Sequence, residues 1–184
     1  PITGERLPKE GTATLLNPMN DHSILASHNF EYGTYEYHDD ISGETLANTL
    51  HVGNNGCLTC PIRCSRRVPV EGKIGKGPEL ETLGLLGNNI DNNNLQQICD
   101  WNYTLDELGM DTISAAGTVA WAMEANEKGI WSCGLEFGKT ENVNQIFEDI
   151  AFRRGVGNEL AEGSKRLSEK YGGTEFAIQS KGME

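Results

Sequence analysis

The run GCLTCPIRCSR, residues 56–66, holds three of the chain's five cysteines, Cys57, Cys60 and Cys64, in the spacing C-x2-C-x3-C, with Pro61 directly after the second. Spacers this short fold as tight turns, with Gly56 and Pro61 supplying the bends, and so let three thiolates converge on one point. Thiolates at this density favour an iron-sulfur cluster or zinc over hard cations, and Arg63, Arg66 and Arg67 beside them offset the negative charge of a thiolate-ligated cluster. The sharpest reading is a cubane 4Fe-4S cluster whose fourth ligand lies elsewhere. Three plainer readings stand beside it. Cys57 and Cys60 suit a redox dithiol, although nothing before them reads as the strand of a thioredoxin-like unit. Zinc sites normally show two paired knuckles, and no second C-x2-C or close His pair comes after this one. Inert buried cysteines need no spacing rule at all.

Outward from that loop, 184 residues with 37% hydrophobic and 23% charged content suit one sizeable core or two small ones. Fifteen basic residues against 27 acidic ones leave a net charge of -12, which repels nucleic acid and anionic membrane surfaces, so neither is expected as a partner. No apolar stretch approaches the roughly 20 residues of a membrane span, and no charged-then-apolar start reads as a signal peptide. An odd number of cysteines, three of them crowded together, fits a reducing compartment, and the cytoplasm is expected. The chain opens at Pro1 without an initiator methionine and closes on KGME, residues 181–184, so a piece of a longer protein is expected.

The expected fold class is all-α, a multihelical domain with a loop-rich N-terminal part and the cysteine loop. Residues 1–55 are expected as a loop-rich linker with short helices, and residues 56–184 as the helical domain, the two forming one structural unit. Within the first forty, loop predominates around one short helix. The aromatic run YGTYEY, with Tyr32, Tyr35, Tyr37 and nearby Phe30, is expected to pack an irregular segment on the core, and His22, His28 and His38 to lie on the surface. Ser42 is a candidate N-cap for a short helix with Leu46 and Leu50 on one side. After the loop come two brief β-like pieces separated by glycines, then Glu79 and Glu81 around Leu80. From Asn93 onward the pattern is helical. One helix carries Leu95, Ile98, Leu105 and Leu108 and stops at Gly109. A second begins at Asp111 and ends at Gly129, with Ile113, Ala116, Val119, Ala120 and Met123 as its stripe, and small Ala115, Ala116 and Gly117 admitting another body to its first turn. A third spans about residues 143–153 and a fourth about residues 159–171, with Leu160, Leu167 and Tyr171 inward.

Several blocks in order, GCLTCPIRC, GPELETLGLLGNNI, LGMDTISAAGTVAWAMEANEKG, FRRGVGNELAEG and FAIQSKGME, resemble the aldehyde ferredoxin oxidoreductase family of tungsten enzymes, and the likeness covers nearly the whole chain. The resemblance implies a parent with a β-rich domain holding tungsten or molybdenum between two pterin dithiolenes, followed by two mainly helical domains, of which this chain resembles the first, with part of the next allowed. It implies that Cys57, Cys60 and Cys64 are cluster ligands, with a fourth from a D-x-x-G-x-C block not found in residues 1–184, and that neither Cys99 nor Cys133 replaces it. Asp111 is implied as a pterin contact, with Ser114 and Ala115 beside it, while Asp111 is equally well placed as a helix N-cap. Glu79 and Glu81 correspond to the family's G-P-E-x-E-T block, one of whose glutamates is credited with proton transfer; Glu81 is favoured, and the plainer reading is a solvated acidic turn.

For function, the resemblance implies an aldehyde-to-carboxylic-acid oxidoreductase that passes electrons through the 4Fe-4S cluster to ferredoxin, with the parent's remaining domains and a small aldehyde as partners and a homodimer allowed. Gln179 stands where many relatives carry His, and Gln exchanges no proton near neutral pH, so an aromatic thioester reductase of the benzoyl-CoA type is kept as an alternative. A module that only holds a cluster for electron relay is the other.

Overall fold

The computed structural model describes residues 2–184; Pro1 lies outside them. Its central element is a helix, α6 (Thr112–Glu127), whose sequence is apolar or small on nearly every side, and Ala115, Ala116 and every residue from Thr118 to Ala125 are buried. A helix hydrophobic all round has to be enclosed by other elements, and the rest of the chain encloses this one. The expected stripe is therefore corrected to a sheath, and Ile113, named for the stripe, is only half-buried. Asp111 caps α6, its Oδ2 accepting from Ser114 N at 2.7 Å, as the spacing predicted.

Before and after it in the chain come α1 (Leu7–Glu10), α2 (Leu16–Asp21), α3 (Gly43–Thr49), α4 (Leu80–Leu86), α5 (Leu95–Glu107) and α7 (Val143–Ala151). Ser42 caps α3 by accepting from Thr45 N at 3.1 Å, and Asn94 caps α5 by accepting from Gln97 N at 3.1 Å. Trp101 of α5 meets Phe147 of α7 edge-on at 5.9 Å. The expected fourth helix is two, α8 (Gly155–Leu160) and α9 (Gly163–Tyr171), because Gly163 takes a φ of +83° that breaks the run. Leu160 and Leu167 are nonetheless inward, and Tyr171 stacks on Trp131 at 4.8 Å. Trp121 of α6 lies against Trp131 and Phe176, each at 6.1 Å, and donates its indole N–H to Gly173 O at 3.1 Å, so the last helical turn is anchored to the central helix.

The all-α expectation is corrected by an antiparallel sheet, β1 (Gly53–Asn55), β2 (Ser65–Val70) and β3 (Lys73–Lys76), in that order, with Asn54 opposite Arg66 and Pro69 opposite Ile74. Alternation decides β2: Arg66, Val68 and Val70 point inward and are buried, while Arg67 and Pro69 face out. Glu71 and Gly72 at φ of +45° and +76° make the two-residue turn into β3.

Residues 2–21 also correct the loop-rich expectation, since helical turns run almost without a break through them. Pro8 sits in the first turn of α1, where a missing N–H costs nothing. Buried Glu10 accepts from Thr14 Oγ1 at 2.8 Å and Arg6 Nε at 3.0 Å, and Arg6 also donates to Glu44 at 2.7 Å, tying the front to α3. Ala13, Leu16, Leu25, Ile41 and Leu46 belong to the same buried core as α4 to α9.

His28 is not a surface histidine. Its ring lies 3.7 Å from Phe137, with Nδ1 2.9 Å from Asp91 and Nε2 3.3 Å from Glu127. Burial works to lower its pKa, but the hydrogen bonds and charges of Asp91 and Glu127 outweigh it and raise the pKa above the ordinary value. Next to it, Asn29 donates to buried Glu124 at 2.6 Å. The aromatic run is split, with Tyr35 packed against the core and Phe30, Tyr32 and Tyr37 exposed. Among the described residues no helix is long and apolar enough to cross a membrane.

Trp121→Ala should cost about 3–5 kcal/mol in urea unfolding, from lost burial and the cavity left behind. A raised His28 pKa gives stability that is full below about pH 6.5 and fades as pH climbs through the folded value. The stability advantage of the wild-type chain over His28→Gln should therefore shrink between pH 6 and 8 in thermal melts.

Candidate functional site

The cysteine loop hangs between β1 and β2, so its two ends are fixed by strand pairing. Its neck is clasped twice: Asn54 Nδ2 donates to Arg63 O at 3.0 Å and Arg63 Nη2 donates to Asn54 O at 3.1 Å. Gly56 is required because a Cβ there would lie 2.9 Å from Arg63 Cα. Cys60 N donates to Cys57 O at 3.0 Å, closing a tight turn through Thr59 at a φ of +66°. All three thiols are free; Cys57 is exposed, Cys60 and Cys64 half-exposed, and Leu58 between them is 94% exposed.

Three free soft donors on one clamped loop fit, by kind, the thiolate set of an iron-sulfur cluster. Their side chains are not drawn to one point: among the described residues no three His, Cys, Asp or Glu groups are gathered as a metal-holding set. Cys99, by contrast, is fully buried, and burial, helped by the charge of Asp100, pushes its thiol up to about 12. Cys133 donates to Ala122 O at 3.4 Å, and burial raises its pKa as well.

Arg66 links the loop to the acidic block. The inward face of β2 carries its guanidinium to full burial, where Nη1 donates to Cys64 O and Nη2 to Glu79 Oε2 at 3.1 Å. The same Glu79 oxygen accepts from Thr12 Oγ1 at 2.7 Å, and Thr12 in turn accepts from Leu80 N at 3.0 Å. Gly11, at a φ of +65°, makes the slot: a Cβ there would overlap the guanidinium. Thr12 and Arg66 in this role were not among the residues singled out from sequence. For Arg66 the signal was present, since period-two alternation sets it on the face of Val68 and Val70.

Glu79 and Glu81 part company here. Glu79 stands just ahead of α4, engaged by Arg66 and Thr12. Glu81 is exposed, with no hydrogen bond or ion pair among the described residues, on the rim of an apolar groove of about 260 Å³ that Met19, Phe30, Leu80 and Leu85 help line.

Asp111, Ser114 and Ala115 line a cavity of about 430 Å³ shared with Thr118, Glu162 and Glu184. Glu184 Oε1 accepts from Ser164 N at 2.6 Å and Ser164 Oγ at 2.8 Å, and the Cβ position of Gly117 is 3.2 Å from Glu184 Cβ, so the body admitted by the small residues is the segment ending the chain. Thr82 and Thr112 hydrogen-bond through their hydroxyls at 2.8 Å, which joins the start of α4 to the start of α6. Gln179 is exposed, its Oε1 accepting from Gly182 N at 2.7 Å.

Comparison with known proteins gives this arrangement relatives. A family model described as aldehyde ferredoxin oxidoreductase, domains 2 & 3, matches residues 1–184. The chain is 42% identical over 193 residues to a tungsten-containing aldehyde ferredoxin oxidoreductase of Pyrococcus furiosus, and 39% identical over 193 residues to that of Thermococcus kodakarensis, covering 100% of this chain and 32% of each relative. It therefore spans about a third of the length of those relatives. An aliphatic sulfonate oxidoreductase, WOR-like subunit, of Pyrococcus furiosus is 27% identical over 80% of the chain and 27% of its own length. Among solved structures, the active site complex BamBC of benzoyl coenzyme A reductase matches with a TM-score of 0.62 at 18% identity, over 91% of this chain and 27% of that one, a likeness of fold.

With a thiol reagent at pH 8, the metal-free chain should be labelled at Cys57, Cys60 and Cys64 well ahead of Cys99. A thiol titrating near 12 is only about one part in 10⁴ thiolate at that pH. Peptide mass mapping of a time course checks the order.

Proposed function

The chain belongs to the aldehyde ferredoxin oxidoreductase family, and from that premise we propose that it is part of an oxidoreductase that converts aldehydes to carboxylic acids at a tungsten-pterin centre and passes electrons through a 4Fe-4S cluster to ferredoxin. The observation that carries this is an end-to-end match to tungsten-containing aldehyde ferredoxin oxidoreductases in a chain whose three loop thiols are free. Free thiols also suit a cytoplasmic parent. Residues 1–55 and 56–184 act in it as one unit.

Cys57, Cys60 and Cys64 would hold the cluster, with the fourth thiolate from outside residues 1–184. Arg63 and Arg67, exposed beside the loop, would offset the negative charge of the ligated cluster. Asp111, with Ser114 and Ala115, would hold a pterin against the first turn of α6, where the small side chain of Ala115 allows close approach. Asp111 would do so while keeping its bond to Ser114 N, since a carboxylate has a second oxygen free to accept.

The tungsten-pterin centre, when bound, would supply the two-electron oxidation in which aldehyde and water become acid with release of two protons, and a cluster held by Cys57, Cys60 and Cys64 would supply one-electron transfer. Proton movement falls to the acidic block. Glu79 has an oxygen committed to Arg66 and Thr12, whereas the carboxylate of Glu81 is unengaged at the edge of an apolar groove, so Glu81 carries the proton and the groove takes the hydrocarbon part of the aldehyde.

In the full-length parent, metal analysis should find iron and tungsten. Glu81→Gln should lower kcat for aldehyde-dependent dye reduction by about 10²–10⁴-fold at unchanged iron content. A parent that holds zinc alone, or a Glu81→Gln variant with wild-type turnover, would overturn the corresponding part of the reading.

A further inference from the structure

Arg66 is a full positive charge at 0% exposure, while the side chain of its partner Glu79 is 26% exposed, and its Nε has no hydrogen-bond partner among the described residues. Taking a guanidinium out of water is costly, and a buried ion pair can often be replaced by apolar side chains without loss of stability. Val68 and Val70 continue the same inward face of β2, so a third aliphatic residue at position 66 would fit the pattern of the strand. Burial energetics alone therefore do not account for a charge there. What the charge does is span two groups that belong to different parts of the site, the backbone carbonyl of Cys64 and the carboxylate of Glu79, with one rigid fork. Thr12 holds the carboxylate from the other side, and Gly11 keeps the slot open.

We propose that Arg66 is a positioning residue that locks Glu79 and the cysteine loop into one unit, so that the charges of the Arg66–Glu79 pair are felt at the cluster and set its reduction potential. The coupling presupposes the cluster assigned above to Cys57, Cys60 and Cys64. Reduction adds an electron, so a nearby positive charge favours the reduced cluster and a nearby negative charge disfavours it, and the burial of Arg66 weakens the screening of its charge. Arg66 therefore raises the potential, Glu79 lowers it, and the pair together leaves it intermediate. Lysine would keep the positive charge beside Glu79 while giving up the second arm of the fork, so it separates the effect of the charge from that of the bond to Cys64 O.

The test is made in the full-length parent with iron content, thermal melting and a spectroscopic redox titration of the cluster. Glu79→Gln should shift the midpoint to more positive values and Arg66→Gln to more negative ones, with iron retained, and Arg66→Lys should return the midpoint toward that of the wild type. A merely structural ion pair would move melting temperature or iron content but would give no pair of opposite shifts. Midpoints equal to wild type, or shifts of the same sign in both variants, with iron present would overturn the coupling while leaving the cluster itself in place. Should Arg66→Gln lose its iron, Glu79→Gln and Arg66→Lys decide: a positive shift in the first and a near-wild-type midpoint in the second support the coupling, and any other combination overturns it. A wild-type parent without iron would instead remove the cluster reading and the coupling together.

Discussion

The enclosure of α6 is the constraint on which the other placements depend. A helix of small and apolar residues with nearly every side chain buried gains from each element packed on it, and here those elements include the early loop through Asn29 and Glu124, α4 through Thr82 and Thr112, and the terminal turn through Trp121 and Gly173. Because α4 and α6 begin side by side, the residues just ahead of each helix, Glu79 and Asp111, lie at the same end of the molecule. The cysteine loop is brought toward that end by β2, whose inward face carries Arg66 to Glu79.

The helical half was largely legible from sequence. Ser42 and Asp111 announce their helices because a short polar side chain before an apolar run has one economical use, accepting from the N–H groups of the first turn. That the cysteine run forms a loop, with Gly56 and Cys60 in tight bends, was legible too. The misses share a cause. Residues 2–21 contain Gly4, Pro8, Gly11 and Pro18, which read as loop, yet local bonds such as Arg6 to Glu10 and packing of Ala13 and Leu16 hold helical turns through them. His28 and Arg66 are polar residues that depend on distant partners, Asp91 and Glu127 in one case and Glu79 in the other, and no local pattern announces a partner. The small sheet was visible as β-like pieces; what composition could not show was that it frames the loop.

The ion pairs of this acidic chain are of two kinds. Glu159 and Glu162 have pKa values lowered by their hydrogen bonds, to Lys170 and Tyr171 in one case and to Arg153 and Arg166 in the other, and they sit on the surface where water and salt screen such pairs. The Arg66–Glu79 pair is shielded on the arginine side, and Thr12, far away in sequence, donates to the same carboxylate oxygen.

Gly11 and Arg66 also bear on how this sequence is free to drift. Any side chain at position 11 would occupy the volume of the guanidinium, and the backbone there adopts a conformation that non-glycine residues resist. Replacing the glycine is thus barred while the arginine remains, and the arginine is anchored by the carboxylate and the loop. The three positions should travel through evolution as a block, so that descendants losing one member are expected to have surrendered the others.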